Sequence, residues 1–340
     1  MSDEGEAPQY RHDPLSDAWR IVAPARRGVP LDARRAEEAV LPAPAGRCPF
    51  CPGSEKDTEE TTWQDPATGP WQVRVVANKY PVLRATGLDV PQVGGGHARP
   101  GAGLHEVIVE GRAHDADLVD ADGELLRQVF HAYRARVRAI EDAPGIRHVS
   151  LFRNRGRRAG SSQPHPHAQV VGATVLGPEV QRRWERAREH ERREGRTLLA
   201  TVLARELRLG DRIVETTDRS VAFCPFAPAH PYESWVMPRV AGGAFAAMED
   251  AALNDLAAVV QRTVHRALRA SGRTAYNLIF RLPPAEARHD AAAFWHVEVL
   301  PRSGPVGALE LTSGMAVVWV TPEDAAARMR ALSPSPSVGS

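Results

Sequence analysis

Two short motifs have residue types and spacing that could do chemistry. The first is Cys48-Pro49-Phe50-Cys51, a C-x-x-C pair whose two thiolates can face one tetrahedral zinc ion at about 2.3 Å. Such a pair supplies half of a zinc shell, so two further ligands must come from elsewhere in the chain. From the residues alone, a redox pair or two incidental cysteines stay open as alternatives.

The second motif covers residues 161–169 and reads SSQPHPHAQ. We expect a strand over His165–Val171, in which alternate side chains share a face, so that His165, His167 and Gln169 project together. Three polar groups on one face of an otherwise apolar strand are costly to bury without partners. A satisfied core histidine explains a lone histidine better than it explains this cluster, so the pattern indicates a functional site.

The elements that position these motifs are predicted to form two similar halves. In the first half the predicted strands are Val73–Val76, Leu104–Glu110, Ile146–Asn154 and His165–Val171. Between the second and third strands, apolar residues from Leu126 to Ile140 recur at helical spacing, and Asp122 is the predicted N-cap.

The second half repeats this order of elements. Its predicted strands are Ser220–Phe223, Glu233–Pro238, Tyr276–Leu282 and Phe294–Leu300. The helix between them carries apolar residues from Leu253 to Leu268 and is predicted to end before Gly272, a residue type that favours the position after a helix. Strand, strand, helix, strand, strand thus occurs twice, which predicts a duplicated α+β unit.

Other segments connect or flank the two halves. We expect an N-terminal arm with a short strand at Trp19–Val22, and helix over Pro178–Leu209 with a break near Gly195. The charge run Gln181–Arg196 favours a solvated helix face over an RNA-binding patch. The tail Ser333–Ser340 is predicted to be disordered.

The composition excludes several classes of protein. The chain has 340 residues, with 43 Lys+Arg against 42 Asp+Glu, and this balance argues against a protein that coats nucleic acid or an anionic membrane. No run of 18 apolar residues occurs, so we expect no membrane span. Three cysteines rule out a disulfide framework, and the first residues lack a secretory signature; we therefore expect a cytoplasmic protein.

Both motifs, with further segments, resemble the galactose-1-phosphate uridylyltransferase family of the histidine-triad superfamily. Segments that match in the family's order are Arg11–Pro24, Val75–Pro81, Leu104–Asp115, Asn154–Gln169, Pro225–Arg239 and Trp295–Arg302. The resemblance implies a duplicated histidine-triad-like unit with two mainly antiparallel sheets and packed helices. It implies a half with the metal and the nucleophile at 1–177 and a second half at 178–332.

The resemblance also implies roles for single residues. Zinc would be held by Cys48, Cys51, His114 and His165 in a closed structural shell. His167 would be the nucleophile that carries a covalent nucleotidyl group, and Gln169 would donate to a phosphoryl oxygen. The implied substrate contacts are Arg26, Asn78, Asn154, Gly160, Ser161 and Ser162. For Arg26, Asn78, Asn154 and Ser162 a purely structural role stays an alternative.

The sequence departs from the family pattern at three places. Some relatives carry an iron site built from a glutamate and three histidines; here His296 is present, but Glu298 stands where the last histidine would be. Lys79 follows Asn78, where well-known relatives have an acidic residue near the ribose or base. The sugar-contacting region is poorly matched by Leu309–Val318.

The expected function is UMP exchange between a UDP-hexose and a hexose 1-phosphate, by a ping-pong reaction. The alternative enzyme is a nucleoside-diphosphate-sugar phosphorylase, such as one that acts on ADP-glucose with inorganic phosphate. A hydrolase and a non-catalytic, zinc-stabilised nucleotide-binding protein are further alternatives. Of the acceptors, we expect a sugar 1-phosphate to be better than bare phosphate. We also expect a homodimer in which the arm before Cys48 reaches the partner's site.

Overall fold

We describe a computed structural model of the chain, covering residues 7–28, 48–85, 98, 100–240, 243–290, 292–302, 304 and 306–332. The tail Ser333–Ser340 and most of the arm before Cys48 lie outside these residues. Among the described residues we find no helix with the length and hydropathy needed to cross a bilayer.

The described residues form thirteen strands and six α-helices. The strands are β1 (Gln9–Asp13), β2 (Ala18–Val22), β3 (Thr61–Asp65), β4 (Val73–Ala77), β5 (Gly103–Val109), β6 (His148–Arg155), β7 (His167–Ala173), β8 (Ile213–Thr216), β9 (Ser220–Phe223), β10 (Ser234–Pro238), β11 (Tyr276–Arg281), β12 (His296–Pro301) and β13 (Val317–Val318). The helices are α1 (Gly123–Glu141), α2 (Pro178–Glu194), α3 (Leu198–Leu209), α4 (Asp250–Ser271), α5 (Ala308–Ser313) and α6 (Pro322–Arg330).

Ten of the described strands form one antiparallel sheet in the order β3-β4-β5-β7-β6-β11-β12-β10-β9-β8. The order β4-β5-β7-β6 in the first half is mirrored by β9-β10-β12-β11 in the second. The halves join where β6 pairs with β11, with Phe152 opposite Ile279. A smaller sheet has the order β1-β2-β13. The α+β class and the duplicated unit are thus confirmed.

The two predicted central helices cover one face of the large sheet. Helix α1 begins where predicted, because the Asp122 side chain accepts a hydrogen bond of 2.8 Å from the Leu125 N–H. Helix α4 ends before Gly272, which has a left-handed φ of 64°. Residues of α1 and α4 pack into one shared hydrophobic core with the inward residues of the strands.

The connection between the halves also agrees with the sequence. Helix α2 begins at Pro178 and ends before Gly195, whose φ of 66° stops the helix. Helix α3 follows after Thr197, whose side chain accepts from the Ala200 N–H. The predicted charge run lies along α2, and Ala187 is its one buried residue in the described structure.

Strand β7 begins later than predicted. The expected strand started at His165, but the structure places its start at His167. The reason is that Pro164 and Pro166 flank His165 and have no N–H to donate to a strand ladder. The Pro166 carbonyl still accepts from the Glu110 N–H, so the preceding segment continues the line of the strand.

Candidate active site

Four side chains that are far apart in sequence meet beside the start of β7. The ligand atoms of Cys48, Cys51, His114 and His165 all lie within 4.8 Å of one another. The Cys48 Sγ is 3.7 Å from the His165 Nδ1, and the Cys51 Sγ is 3.3 Å from the His114 Nδ1. A tetrahedral zinc ion would hold sulfur and nitrogen about 3.5 Å apart. These four residues, called the Cys48 group below, therefore fit a metal ion of that kind.

Backbone hydrogen bonds give this group its shape. The Cys51 N–H donates to the Cys48 carbonyl, which closes the turn that brings both thiols to one side. The His165 Nε2 lies 2.9 Å from the Gly111 carbonyl, so its proton is on Nε2 and its Nδ1 lone pair faces the sulfur atoms. Without a cation, burial and the Cys48 thiol raise the pKa of the Cys51 thiol to about 11.

His167 is the first residue of β7 and is largely buried, with 8% of its surface exposed. Its Nδ1 lies 2.8 Å from the His165 carbonyl oxygen, so Nδ1–H donates and Nε2 keeps its lone pair. Burial lowers the pKa of His167, although the bond to the His165 carbonyl opposes this effect. The Phe50 ring, at a centroid distance of 5.5 Å, covers one side of the imidazole. His167 is thus a neutral, oriented nitrogen base at neutral pH.

Gln169 contacts a buried histidine that the sequence analysis did not select. Its Oε1 lies 2.9 Å from the His105 Nε2, and the Asn78 Nδ2 lies 3.0 Å from the same nitrogen. His105 also holds the segment after Asn78, because its Nδ1 accepts from the Val82 N–H. The His105 Nε2 is thus within hydrogen-bond distance of two predicted residues, Gln169 and Asn78. Its position two residues before Val107, which pairs with Gln169, could have indicated this contact once strand register was known.

Asn154 and the loop after it form a second polar group. The Asn154 Oδ1 accepts from the Asn277 Nδ2 at 2.8 Å, and Asn277 also donates to the Ala159 carbonyl. Gly160 has a left-handed φ of 86°, and a Cβ there would lie 3.7 Å from the Asn154 Nδ2. Sequence analysis missed Asn277 because β11 belongs to the other half of the chain.

The remaining predicted contacts lie at the surface or in the loop. The Ser161 Oγ donates to the Gln163 carbonyl, and Ser162 is exposed. Arg26 is exposed in the short turn Pro24–Gly28, where the described structure does not bring it into contact with the other predicted site residues. Lys79 is also exposed.

Comparison with known proteins identifies the family. The family model for the N-terminal domain of galactose-1-phosphate uridyl transferase matches residues 1–176. The chain belongs to this family. It is therefore an enzyme, and its class is that of the nucleotidyltransferases.

Two curated relatives represent different activities. An ADP-glucose phosphorylase from Arabidopsis thaliana is 27% identical over 339 residues, which is 98% of this chain and 95% of the relative. A galactose-1-phosphate uridylyltransferase from Haemophilus influenzae is 25% identical over 261 residues, which is 76% of this chain and 73% of the relative.

Solved structures share the fold. The crystal structure of the ADP-glucose phosphorylase from Arabidopsis thaliana with bound ADP-glucose has a TM-score of 0.82 and 24% identity, covering 96% of this chain and 100% of its own. A uridylyltransferase structure has a TM-score of 0.75 and 23% identity, covering 96% of this chain and 98% of its own.

In the second half, His296 occupies the position that corresponds to His167, but its surroundings differ. Strand β12 begins with His296 as β7 begins with His167, and Glu298 stands where Gln169 would be. His296 is fully buried against Trp235, with ring centroids 4.5 Å apart, and its Nε2 lies 3.2 Å from the Glu298 carboxylate. The burial of His296 and these contacts indicate a structural role for this residue.

Two arginines form ion pairs with Glu298. The Arg281 guanidinium lies 2.8 Å from one Glu298 oxygen and the Arg183 guanidinium 3.6 Å from the other. Although burial raises the pKa of Glu298, Arg281 holds it well below its usual range. Arg183 also pairs with Glu179. Within the part of the chain that the structure describes, the Cys48 group is the one place where three or more His, Cys, Asp or Glu side chains come close enough to hold a metal.

Proposed function

We propose that this enzyme transfers the nucleotidyl group of a nucleoside diphosphate sugar through a covalent intermediate on His167. The observation that carries the proposal is the 2.8 Å bond from the His167 Nδ1–H to the His165 carbonyl. It leaves Nε2 as the one ring nitrogen that can attack, and burial keeps the ring neutral. Binding alone requires no such nitrogen.

The reaction proceeds in two displacements. In the first, the His167 Nε2 lone pair attacks the α-phosphorus, the bond from that phosphorus to the bridging oxygen breaks, and sugar 1-phosphate leaves with the electron pair. In the second, a phosphate oxygen of the acceptor attacks the same phosphorus, and the phosphorus–nitrogen bond breaks. Splitting one displacement into two is the logic of covalent catalysis. Gln169 donates its amide hydrogens to the phosphoryl oxygen on which charge develops.

The Cys48 group would hold zinc with a structural role. A closed Cys₂His₂ shell leaves no position for substrate, and such an ion supplies folding energy rather than Lewis-acid chemistry. His165 links this group to the nucleophile, because its ring faces the thiols while its carbonyl oxygen accepts from His167. Holding His165 therefore orients the attacking nitrogen.

For the acceptor, a phosphorylase reaction with ADP-glucose and inorganic phosphate now has support at least equal to that for UMP exchange. The similarity to the ADP-glucose phosphorylase extends over 98% of the chain, whereas that to the uridylyltransferase covers 76%. In α5, the Thr312 and Ser313 hydroxyls donate to carbonyls of their own helix, so these hydrogens are not presented to a sugar. We therefore rank phosphate with ADP-glucose first and a hexose 1-phosphate with UDP-glucose second, which reverses the order expected from the sequence.

The first experiment tests the intermediate. Incubation with ADP-glucose or UDP-glucose, without acceptor, should add one AMP or UMP to the intact protein by mass spectrometry, with the label on His167. His167→Gly should abolish both the adduct and turnover, while the control His289→Gly, at an exposed histidine, should retain both. Full turnover in His167→Gly would refute the covalent route.

The second experiment tests the acceptor. We would compare kcat/KM for phosphate, glucose 1-phosphate and galactose 1-phosphate, each with both donors. A preference for phosphate with ADP-glucose supports the phosphorylase. A preference for galactose 1-phosphate with UDP-glucose supports UMP exchange instead.

A further inference from the structure

We propose that His105 is a positioning residue, which holds the Gln169 side-chain oxygen and thereby directs the Gln169 amide hydrogens toward the reacting phosphoryl group. This inference rests on the proposed function and extends it to a residue outside the histidine motif. His105 lies on β5, next to β7, and is 9% exposed.

The proton of His105 can be assigned from its partners. The Val82 backbone N–H donates to the His105 Nδ1 at 3.1 Å, so Nδ1 carries a lone pair. A neutral imidazole has one N–H, which must then be on Nε2. If both ring nitrogens were protonated, the Nδ1–H would face the Val82 N–H. This contact between two donors disfavours the cationic ring.

The His105 Nε2–H has one suitable acceptor among its two neighbours. The Asn78 Oδ1 accepts from the Tyr80 N–H at 2.8 Å, which turns the Asn78 nitrogen toward His105. An amide nitrogen cannot accept a hydrogen bond. The Gln169 Oε1, at 2.9 Å, is therefore the acceptor.

This bond determines how Gln169 can act. With Oε1 engaged by His105, the amide cannot flip without losing the bond, and both hydrogens on the Gln169 nitrogen point away from His105. The Asn78 Nδ2 lies 3.0 Å from the protonated Nε2 and makes no hydrogen bond to it, because both nitrogens are donors. The Gln169 amide thus lies on the sheet face that carries His167, two residues further along β7. A flipped Gln169 would present its oxygen to the phosphoryl group and repel it.

The second half offers a contrast at the matching position. Glu298 corresponds to Gln169, and Glu233 lies two residues before its partner Trp235, as His105 lies two before Val107. Two carboxyl groups replace the amide and the imidazole there. Of these two matching positions, only the one in the half with His167 therefore pairs an N–H donor, His105, with an amide, Gln169.

Kinetic coupling between the two residues tests the proposal. His105→Leu should lower kcat for adduct formation about 10- to 100-fold and change KM less than about 3-fold, because the donor acts on charge in the transition state. When Gln169 is already replaced by Ala, adding His105→Leu should lower kcat by less than about a further 2-fold. His105→Gln, which retains an N–H in place of Nε2–H, should recover most of the rate. Equal losses in both backgrounds, or no rescue by glutamine, would overturn the proposal.

A spectroscopic measurement keeps the test independent of activity. In protein labelled with ¹⁵N-histidine, nitrogen chemical shifts should report a neutral His105 with its proton on Nε2, assigned by comparison with His105→Gln. A proton on Nδ1, or a cationic ring at pH 7, would contradict the inference even in an active enzyme. Absence of any adduct in wild-type protein, with the Nε2–H form present, would refute the proposed function and leave the predicted orientation of Gln169 standing.

Discussion

At the scale of single residues, the site depends on histidines whose two ring nitrogens have different partners. His165 directs Nδ1 to the thiols and Nε2–H to the Gly111 carbonyl, whereas His167 donates through Nδ1. His105 accepts at Nδ1. Each ring is neutral with one defined tautomer, because a fixed backbone group selects which nitrogen holds the proton.

The metal prediction belongs to this scale. Protein purified without added metal should contain about one zinc per chain, and Cys51→Ser should lower both the zinc content and the melting temperature, since it removes a thiolate ligand. Cys224→Ala is the control, because Cys224 is buried near Ser234 and should leave the zinc content unchanged. Elemental analysis of folded wild-type protein with zinc far below one per chain would contradict the prediction.

At the scale of elements, two glycines allow β7 to approach both β5 and α1 closely. A Cβ at Gly103 would lie 2.2 Å from the Gly172 carbonyl oxygen, and a Cβ at Gly172 would lie 2.4 Å from the Ile140 Cγ2 of α1. Both strands carry site residues, His105 on β5 and His167 on β7. The strand pairing that places His105 and His167 therefore depends on close packing at Gly103 and Gly172.

Gly103→Ala should destabilise the fold by about 1–3 kcal/mol or more, because a methyl group overlaps a backbone oxygen. Gly123→Ala is the matched control: nothing lies within 4 Å of its Cβ position at the start of α1, so stability should be unchanged or slightly higher. Denaturant unfolding of both variants checks the prediction. Equal stability of the two variants would show that the strands can separate at this point.

The C-terminal end of α1 carries a carboxyl group in an unfavourable place. Burial raises the pKa of Glu141 to about 7, and although Arg288 opposes this, Asp142 adds to it. A group whose folded pKa is raised contributes stability below its unfolded pKa, near 4.5, and loses that contribution as pH rises through about 7. Helix C-termini also disfavour negative charge.

Glu141→Gln should therefore match wild type at pH 4.5 and exceed it at pH 8, by on the order of 1–3 kcal/mol. Glu124→Gln, in the first turn of the same helix, should show no such rise between pH 4.5 and 8, because the bond to Arg127 lowers the pKa of Glu124 and its pH dependence lies below the usual value of 4.5. Melting temperatures of the three proteins between pH 4.5 and 8 provide the measurement. A Glu141→Gln advantage that is constant with pH would mean that its carboxyl group titrates normally.

At the scale of the whole molecule, the two halves share one sheet and one core. Phe280 of β11 packs against Phe130 and Tyr133 of α1, with ring centroids 6.1 and 5.5 Å from its own. The buried Arg153 of β6 donates to the Tyr276 hydroxyl at 2.7 Å. The division at 177/178 remains a prediction about duplication in the sequence, and these contacts oppose independent folding of the halves.

We therefore expect one cooperative unfolding transition for the metal-loaded chain. Calorimetry should show a single peak, and circular dichroism in the near and far ultraviolet should give coincident curves. A fragment of residues 1–177 should not fold on its own, because it would expose the edge of β6 and the core side of α1. Two separated transitions would contradict this expectation.

Assembly is the second prediction at this scale. We expect a homodimer, and α5 presents the exposed apolar residues Leu309 and Leu311, at 54% and 75% exposure, that could contribute to a contact. Sedimentation of the full chain at micromolar concentration should give twice the chain mass of 37.1 kDa. A fully active monomer would contradict a site completed by the partner chain.

The sequence by itself determined the features that short-range patterns encode. Helical periodicity and caps located α1 and α4, and Pro178 and Gly195 located the limits of α2. The two cysteines and the histidine motif pointed to the four residues that fit a metal ion in the structure. The same motif pointed to the residue proposed as nucleophile. The strands β1, β3, β8 and β13 and the helices α5 and α6 were not predicted, because their apolar residues are too few or their runs too short to show a period.

Only the tertiary structure decided which residues from distant segments meet. His105 contacts Gln169 across 64 positions, and Asn277 contacts Asn154 across 123, through strand register that no local pattern shows. The pairing of Glu298 with two arginines likewise required strands and α2 to be assembled. The physical reason is that hydrogen bonds and ion pairs of buried polar groups depend on the partner strand, whereas helix starts and turns depend on neighbours within a few residues.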